Sequence, residues 1–379
     1  MADEVKQRKV EHVRAALAQD LAVPQAAGWQ DVHLIHQALP EVDLEAIDTS
    51  VRFLGHPLRY PLVISAMTGG HPEVASINRN LAQAAERYGL ALGVGSQRAG
   101  ILDSAVADSY AVARQSAPGA FLIANVGAPQ LIRQQGAEPF TRAQIQRAVD
   151  MIAANALAVH MNSLQEAAQR EGDRRAVGEA AALKQLVESI GLPVIAKETG
   201  AGVCWEQALL LKRCGVAVID VGGAGGSSMS ALEERRAAAG SNARSIGALY
   251  RDWGIPTPIS LIEAGSAGLP LIATGGVRSG LDIARALALG ASLVGMAFPF
   301  LRAASDSFAA VCELVEQVIA ELKVAMQLSG AASNDALRQV PVVVAGETYH
   351  WLRLRGFEEV LTNLARRSRE RKDAALQGE

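Results

Sequence analysis

The feature that most constrains this chain is a rhythm of short apolar runs, each closed by glycine or polar residues and separated from the next by a helical pattern. Pro61 to Ala66, Leu90 to Val94, Phe121 to Ala124, Leu157 to Val159, Pro193 to Ala196, Val216 to Ile219, Leu269 to Ala273 and Leu293 to Ala297 are too short for helices. Their continuous apolarity predicts strands buried on both faces, as in a parallel sheet. Between them lie helical patterns: Val74 to Tyr88, Asp103 to Gln115, Thr141 to Asn155, Ala176 to Ile190, Trp205 to Cys214, one opening at Pro256-Thr257, and Leu281 to Leu289. Parallel strands need crossovers of this length. The units predict an α/β fold, a (β/α)8 TIM barrel, with the polar residues after each strand gathered at one end.

The barrel is expected over about residues 60–302 of a single domain spanning 1–379. An N-terminal segment of about 1–58 precedes it, and C-terminal helices of about 303–365 follow. By composition alone, residues 1–20 read as a charged, solvated helix. Trp29 to Pro57 reads as a layer closing the barrel's end. Ser227 to Ile255 is an insertion after strand six, charged around Glu233-Glu234-Arg235-Arg236 and carrying Tyr250 and Trp253, which suits a lid or a partner contact. Phe308, Val311, Val315, Val318, Leu322 and Ala325 recur at helical spacing and predict a closing helix that packs on the barrel. The tail from Arg366 to Glu379 is dense in charge and is expected to fray.

Half the residues are apolar, enough for a full core, and the net charge of −3 argues against a nucleic-acid partner. Any anionic ligand must therefore be held by locally placed basic residues. Cys204, Cys214 and Cys312 show neither metal spacing nor a disulfide framework. Met1 to Arg14 is charged throughout, unlike a signal peptide, and the longest uncharged run, Ala286 to Leu301, falls short of a bilayer span. A cytoplasmic protein with no membrane partner is expected.

Four groups at the strand ends carry chemistry. Thr274-Gly275-Gly276-Val277-Arg278 follows the seventh strand, where glycines admit a close approach and Arg278 offers a fork for phosphate. Barrels bind phosphates there. Lys197 ends an apolar strand and points into the mouth; it either pairs with Glu198 or a carboxylate of the next strand, or serves a cofactor or a Schiff base. His160 and Asn162 share one face at strand period, with Gln165 and Glu166 just beyond. A carboxylate and an amide near a phosphate site are hard oxygen ligands suited to Mg²⁺. Ser96, Gln97 and Arg98 add hydroxyl, amide and guanidinium donors suited to an anion.

Together these residues resemble the type 2, flavin-dependent isopentenyl diphosphate isomerases. The likeness runs from about Arg8 to Leu301. It covers Arg8-Lys9-x-Glu11-His12, His36-x-Ala38-Leu39-Pro40-Glu41, Met67-Thr68-Gly69-Gly70, Gly95-Ser96-Gln97-Arg98 and His160-x-Asn162-x-x-Gln165-Glu166. Glu171-Gly172-Asp173-Arg174, Lys197-Glu198, Gly225-Gly226 and Trp253-Gly254-Ile255-Pro256 continue it in order.

The resemblance implies an FMN enzyme that interconverts isopentenyl and dimethylallyl diphosphate, with NADPH serving only to reduce the flavin. By it, the FMN phosphate lies at Gly275, Gly276, Arg278 and Ala297, and the rest of the cofactor contacts Ala66, Met67, Thr68, Ser96, Asn125, Lys197 and Ser227. Substrate diphosphate is held by Arg8, Lys9, Ser96, Gln97, Arg98, His160, Asn162 and Gln165, with Glu166 on Mg²⁺. Lys197, His160 and Gln165 are the implied catalytic residues, and the proton transfers fall to the reduced flavin. Arg8 and Lys9 then close over the substrate, which replaces the solvated-helix reading. A symmetric homo-oligomer, a tetramer or octamer, is also implied.

Three positions depart from the family pattern: Gly222 stands for a hydroxyl residue, Ser227 for threonine and Met229 for tryptophan. The competing reading is an FMN-dependent 2-hydroxy acid oxidase or dehydrogenase. Such enzymes place a histidine before paired glycines, whereas Asp220 to Gly226 holds none and Thr274 precedes Gly275. A barrel that binds flavin without catalysis is the third reading, and it leaves Lys197, His160 and Glu166 converging to no purpose.

Overall fold

The structure, a computed structural model, describes residues 27–169 and 171–367. Arg8 and Lys9 lie outside the described residues, as does nearly all of the charged tail.

Eight parallel strands close into a barrel. They are β1 (Leu62–Ile64), β2 (Ala91–Gly93), β3 (Phe121–Gly127), β4 (Ala156–Met161), β5 (Val194–Glu198), β6 (Val218–Asp220), β7 (Leu271–Thr274) and β8 (Leu293–Met296). β8 pairs back onto β1 with Gly295 opposite Val63, which completes the ring. Side chains alternating inward fill it: Val63, Ala91, Ile123, Ala158, Ile195, Val218, Ile272 and Leu293 form one packed cluster. The helices outside join a second, larger cluster through the outward-facing residues of the same strands.

The strand limits shift by one to three residues from those expected, and two of the shifts have a visible cause. β3 continues past Ala124 because Asn125, Val126 and Gly127 still pair with β4, opposite Ala158, Val159 and His160. Polar Asn125 resembles a strand end only while its partner strand is unknown. The sixth strand starts late, since the N–H of Val216 still belongs to the helix-ending turn at Gly215, donating to the Leu211 carbonyl at 3.4 Å.

The layer expected from Trp29 to Pro57 divides between the two ends of the barrel. The hairpin of Val51–Phe53 and His56–Leu58 plugs the N-terminal end, where Phe53 meets Phe121 edge to face at 5.6 Å. Val32–Leu34 instead pairs antiparallel with Val342–Val344, beyond the closing helix Phe308–Leu328. Asp31 also accepts from the N–H and hydroxyl of Thr348. These ties carry Trp29 to the opposite rim, at the turn after β7. Among the described residues, no helix is long and apolar enough to cross a membrane.

Candidate active site

At the C-terminal mouth, the ends of β1, β5, β6, β7 and β8 enclose a cavity of about 250 Å³. Its far side is the glycine turn after β7. Gly275 (φ 117°) and Gly276 (φ 66°) occupy backbone conformations that a side chain disfavours. A Cβ at Gly275 would come within 2.2 Å of the Gly223 carbonyl, and one at Gly276 within 2.3 Å of the Ala27 methyl group. The Gly275 carbonyl accepts from the Trp29 indole at 3.2 Å and the Thr257 hydroxyl at 2.9 Å, so the turn is braced from outside. Arg278 lines the cavity, and its guanidinium donates to the Val277 carbonyl at 3.0 Å. Opposite it, helix Phe298–Asp306 starts at Ala297 with no side-chain cap. Ala297 and Phe298 both line the cavity. The amides opening an uncapped helix beside a glycine turn suit a phosphate.

The floor is ionic. The Lys197 ammonium lies 3.0 Å from Asp220 Oδ2, with 13% and 7% of their side chains exposed. β5 and β6 place the two residues directly opposite each other. Thr274, from β7, donates its hydroxyl to the other Asp220 oxygen. Lys197 also donates to the Glu198 carbonyl at 3.1 Å. The lysine pairs with a carboxylate of the next strand and also lines the cavity. Glu198 turns its carboxylate to the following loop, where Gly200, Ala201 and Gly202 donate backbone N–H groups. Burial nevertheless pushes the Glu198 carboxyl up to about 7.

One strand further round lies a polar wall. His160, opposite Lys197 in the β4–β5 register, bonds through Nδ1 to Asn125 Oδ1 at 2.8 Å. Helix Ser163–Ala168 begins just after, so Asn162, Gln165 and Glu166 share its first turn. Asn162 donates to Glu166 Oε1 at 2.9 Å, and the other oxygen of Glu166 accepts from the Asp173 N–H at 2.8 Å. Asn162 Oδ1 is buried with no hydrogen-bond partner among the described residues. A bare acceptor beside a carboxylate is a donor set for a hard cation. Among the described residues, no cluster of three His, Cys, Asp or Glu forms a metal cage by itself.

Arg98 pairs with Asp173, which also accepts from Gln130 at 3.1 Å. Ser96 is fixed through its carbonyl by the hydroxyl of fully buried Tyr110. Ala66, Met67 and Ser227 line the cavity, while the Thr68 hydroxyl turns away to Asn78. Gln97 does not line the cavity. Its side chain is fully buried, donating to the Ala148 carbonyl at 2.7 Å and accepting from the Asn125 N–H at 2.9 Å. It ties the β2 loop to β3 and to the helix Arg142–Met151.

The insertion is more than a cover. Its helix Met229–Arg236 brings buried Glu233 to within 3.0 Å of Gln165 Nε2, and Arg236 joins Glu233 to Glu171. The sequence placed Glu233 in the charged stretch of the insertion and did not single out Asp220. Asp220 was within reach, since barrel order sets a carboxylate ending strand six beside a lysine ending strand five. Nothing local marks Glu233. At Gly222 (φ 46°), a Cβ would sit 2.1 Å from the Glu198 carbonyl, so this backbone requires the glycine that departs from the family pattern.

A phosphate-suited turn at β7–β8 above a lysine floor defines a barrel of the FMN-dependent dehydrogenase class, whose family model matches residues 132–343. Solved structures agree on the fold: flavocytochrome b2 superposes with a TM-score of 0.63 at 18% identity, covering 88% of this chain and 83% of that one. A mandelate oxidase gives 0.57 at 19%, covering 87% and 95%. Within this class the chain belongs to the isopentenyl-diphosphate delta-isomerase family. It is 44% identical over 355 residues to that enzyme of Methanothermobacter thermautotrophicus, covering 93% of this chain and 97% of that protein. It is 47% identical over 345 residues to that of Methanoregula boonei, covering 90% and 94%.

Proposed function

We propose that this chain is an isomerase that interconverts isopentenyl diphosphate and dimethylallyl diphosphate by a 1,3-proton shift on reduced FMN with Mg²⁺, in isoprenoid biosynthesis. The observation that carries this reading is the joining of two sites at one mouth. A lysine-floored cavity ends in a glycine turn, and the neighbouring strand holds a buried, oxygen-rich cluster with an unpartnered acceptor. The first suits a flavin mononucleotide and the second a metal-bound diphosphate.

The residues fit the cofactor. Gly275, Gly276, Arg278 and Ala297 would hold its phosphate, and Ala66, Met67, Ser96, Asn125, Lys197, Ser227 and the backbone of Thr68 its remaining length. Bound in reduced form, FMN supplies an electron-rich face that stabilises positive charge developing on an alkene. Lys197 holds a positive charge at the cavity floor. Two of its three donors go to Asp220 and Glu198, which fixes the direction of the third. NADPH is the proposed reductant.

Mg²⁺ keeps few protein ligands and leans on substrate phosphates. Glu166 and Asn162 Oδ1 would supply the protein oxygens. Ser96, Arg98, His160, Asn162 and Gln165, with Arg8 and Lys9 from the N-terminal segment, would bind the diphosphate. That remote binding energy holds a small apolar alkene in place. His160, oriented by Asn125, and Gln165, oriented by Glu233, would guide a proton. We place the enzyme in the cytoplasm as a symmetric tetramer or octamer. The exposure of Leu249 (77%) and Trp253 (64%) on the insertion supports assembly.

The test is anaerobic incubation with FMN, NADPH, Mg²⁺ and isopentenyl diphosphate in D₂O, read by mass spectrometry. Deuterated dimethylallyl diphosphate, with far less NADPH consumed than product formed, is the expected result. Absence of isomer, with flavin bleached by 2-hydroxy acids, would move the chain to the oxidase branch.

A further inference from the structure

We propose that Asp220 is a positioning residue: its carboxylate fixes Lys197 and sets the net charge under the cofactor, and so tunes how strongly bound FMN favours its reduced form. The inference rests on the FMN reading above, which uses Asp220 only to orient Lys197, and adds the effect of its charge.

The geometry is that of a built charge relay across three strands. Thr274 on β7 donates to Asp220 on β6, which faces Lys197 on β5 at 3.0 Å. Asp220 and Lys197 also border a small void in the barrel lumen, together with Ser65, Asn125 and Ile272. Little water screens such a pair, so each charge acts strongly on whatever lies above it. A lysine stem is flexible, and its ammonium is a point charge that finds its place only through its partners. Here Asp220 and the Glu198 carbonyl hold the ammonium from below and from the side, leaving one donor for the cavity.

Two electrons entering a flavin bring negative charge, which Lys197 favours and Asp220 opposes. A lysine alone would bind reduced FMN far more tightly than oxidised FMN. The pair gives a nearly neutral floor that still presents one N–H.

The test compares Asp220→Asn and Thr274→Val with wild type, measuring the midpoint potential of bound FMN by anaerobic titration and the melting temperature of each flavin-free protein. Asp220→Asn keeps the shape and removes the charge. Its bound FMN is expected to shift toward the reduced form by tenfold or more in relative affinity, a rise of about 30 mV for a two-electron couple. Thr274→Val keeps the charge and removes one hydrogen bond, so its potential should stay close to wild type. Should Asp220→Asn fail to fold, Thr274→Val decides alone, because a shift there as large as tenfold would mean that geometry, not charge, governs the potential. An Asp220→Asn protein with an unchanged or lowered potential overturns the inference and leaves the FMN reading intact. Wild-type protein that takes up no FMN overturns both.

Discussion

Replacing Lys197 by methionine tests the ionic floor most directly, because the stem keeps its length while the charge disappears. Asp220 would then remain buried, at 7% exposure, with the Thr274 hydroxyl as its side-chain donor. At the observed 3.0 Å, an effective dielectric of about 20 gives an attraction of about 5.5 kcal/mol, from which the desolvation of both ions subtracts. Removing one partner of a buried pair costs about 3–5 kcal/mol, and the surviving Thr274 bond places Lys197→Met near the lower figure, about 3 kcal/mol. Adding Asp220→Asn removes the stranded charge, so the double variant should regain about 2 kcal/mol over Lys197→Met alone. The assay is urea unfolding of the flavin-free proteins at neutral pH, arranged as a double-mutant cycle. Turnover should vanish in both Lys197 variants. A coupling energy below about 0.5 kcal/mol would refute the reasoning, since the two residues would then be energetically independent.

Three further outcomes follow from the same geometry. Gly276→Ala places a methyl group 2.3 Å from that of Ala27 at a φ of 66°, so FMN affinity should fall by about tenfold or more while far-ultraviolet dichroism stays unchanged; affinity equal to wild type would show that the turn does not touch the cofactor. Burial raises the Glu198 carboxyl from 4.5 to about 7, so the folded protein binds the extra proton between those values. Its contribution is full below pH 4.5 and is lost as the pH rises through 7; Glu198→Gln should flatten that decline in melting temperature, and an identical pH profile would reject the assignment. Glu263, fully buried, accepts from the Trp205 N–H, the Trp351 indole and Arg355, tying helix Gly346–Leu354 to the barrel. Glu263→Ala should lower stability by about 3–5 kcal/mol and expose the C-terminal helices to limited proteolysis; wild-type resistance would mean that packing alone holds them.

Much of the barrel is written locally. A buried parallel strand is a run of Leu, Ile, Val and Ala, and a glycine after a helix marks its end, so the order of strands and crossovers follows from pattern alone. Lys197, His160 and Gly275-Gly276 were visible because each breaks an apolar or regular stretch where a barrel puts its mouth. What pattern could not give is pairing. Whether Asn125 ends a strand depends on β4 beside it, and whether Gln97 faces a ligand depends on the Ala148 carbonyl, some fifty positions along the chain. Trp29 reaches the glycine turn only because a strand near the C-terminus, Val342–Val344, holds its neighbours. Glu233 is one charge among four in the sequence, and it becomes part of the site when its helix lies across Gln165. The chain by itself determines which segments are strands, which are helices and where their polar ends fall, because hydrophobic period and turn chemistry act over a few residues. The tertiary structure alone decides which polar ends meet. The Lys197–Asp220–Thr274 floor exists because three strands close side by side in register, and charges attract strongly only when folding has brought them within a few ångströms and excluded the water between them.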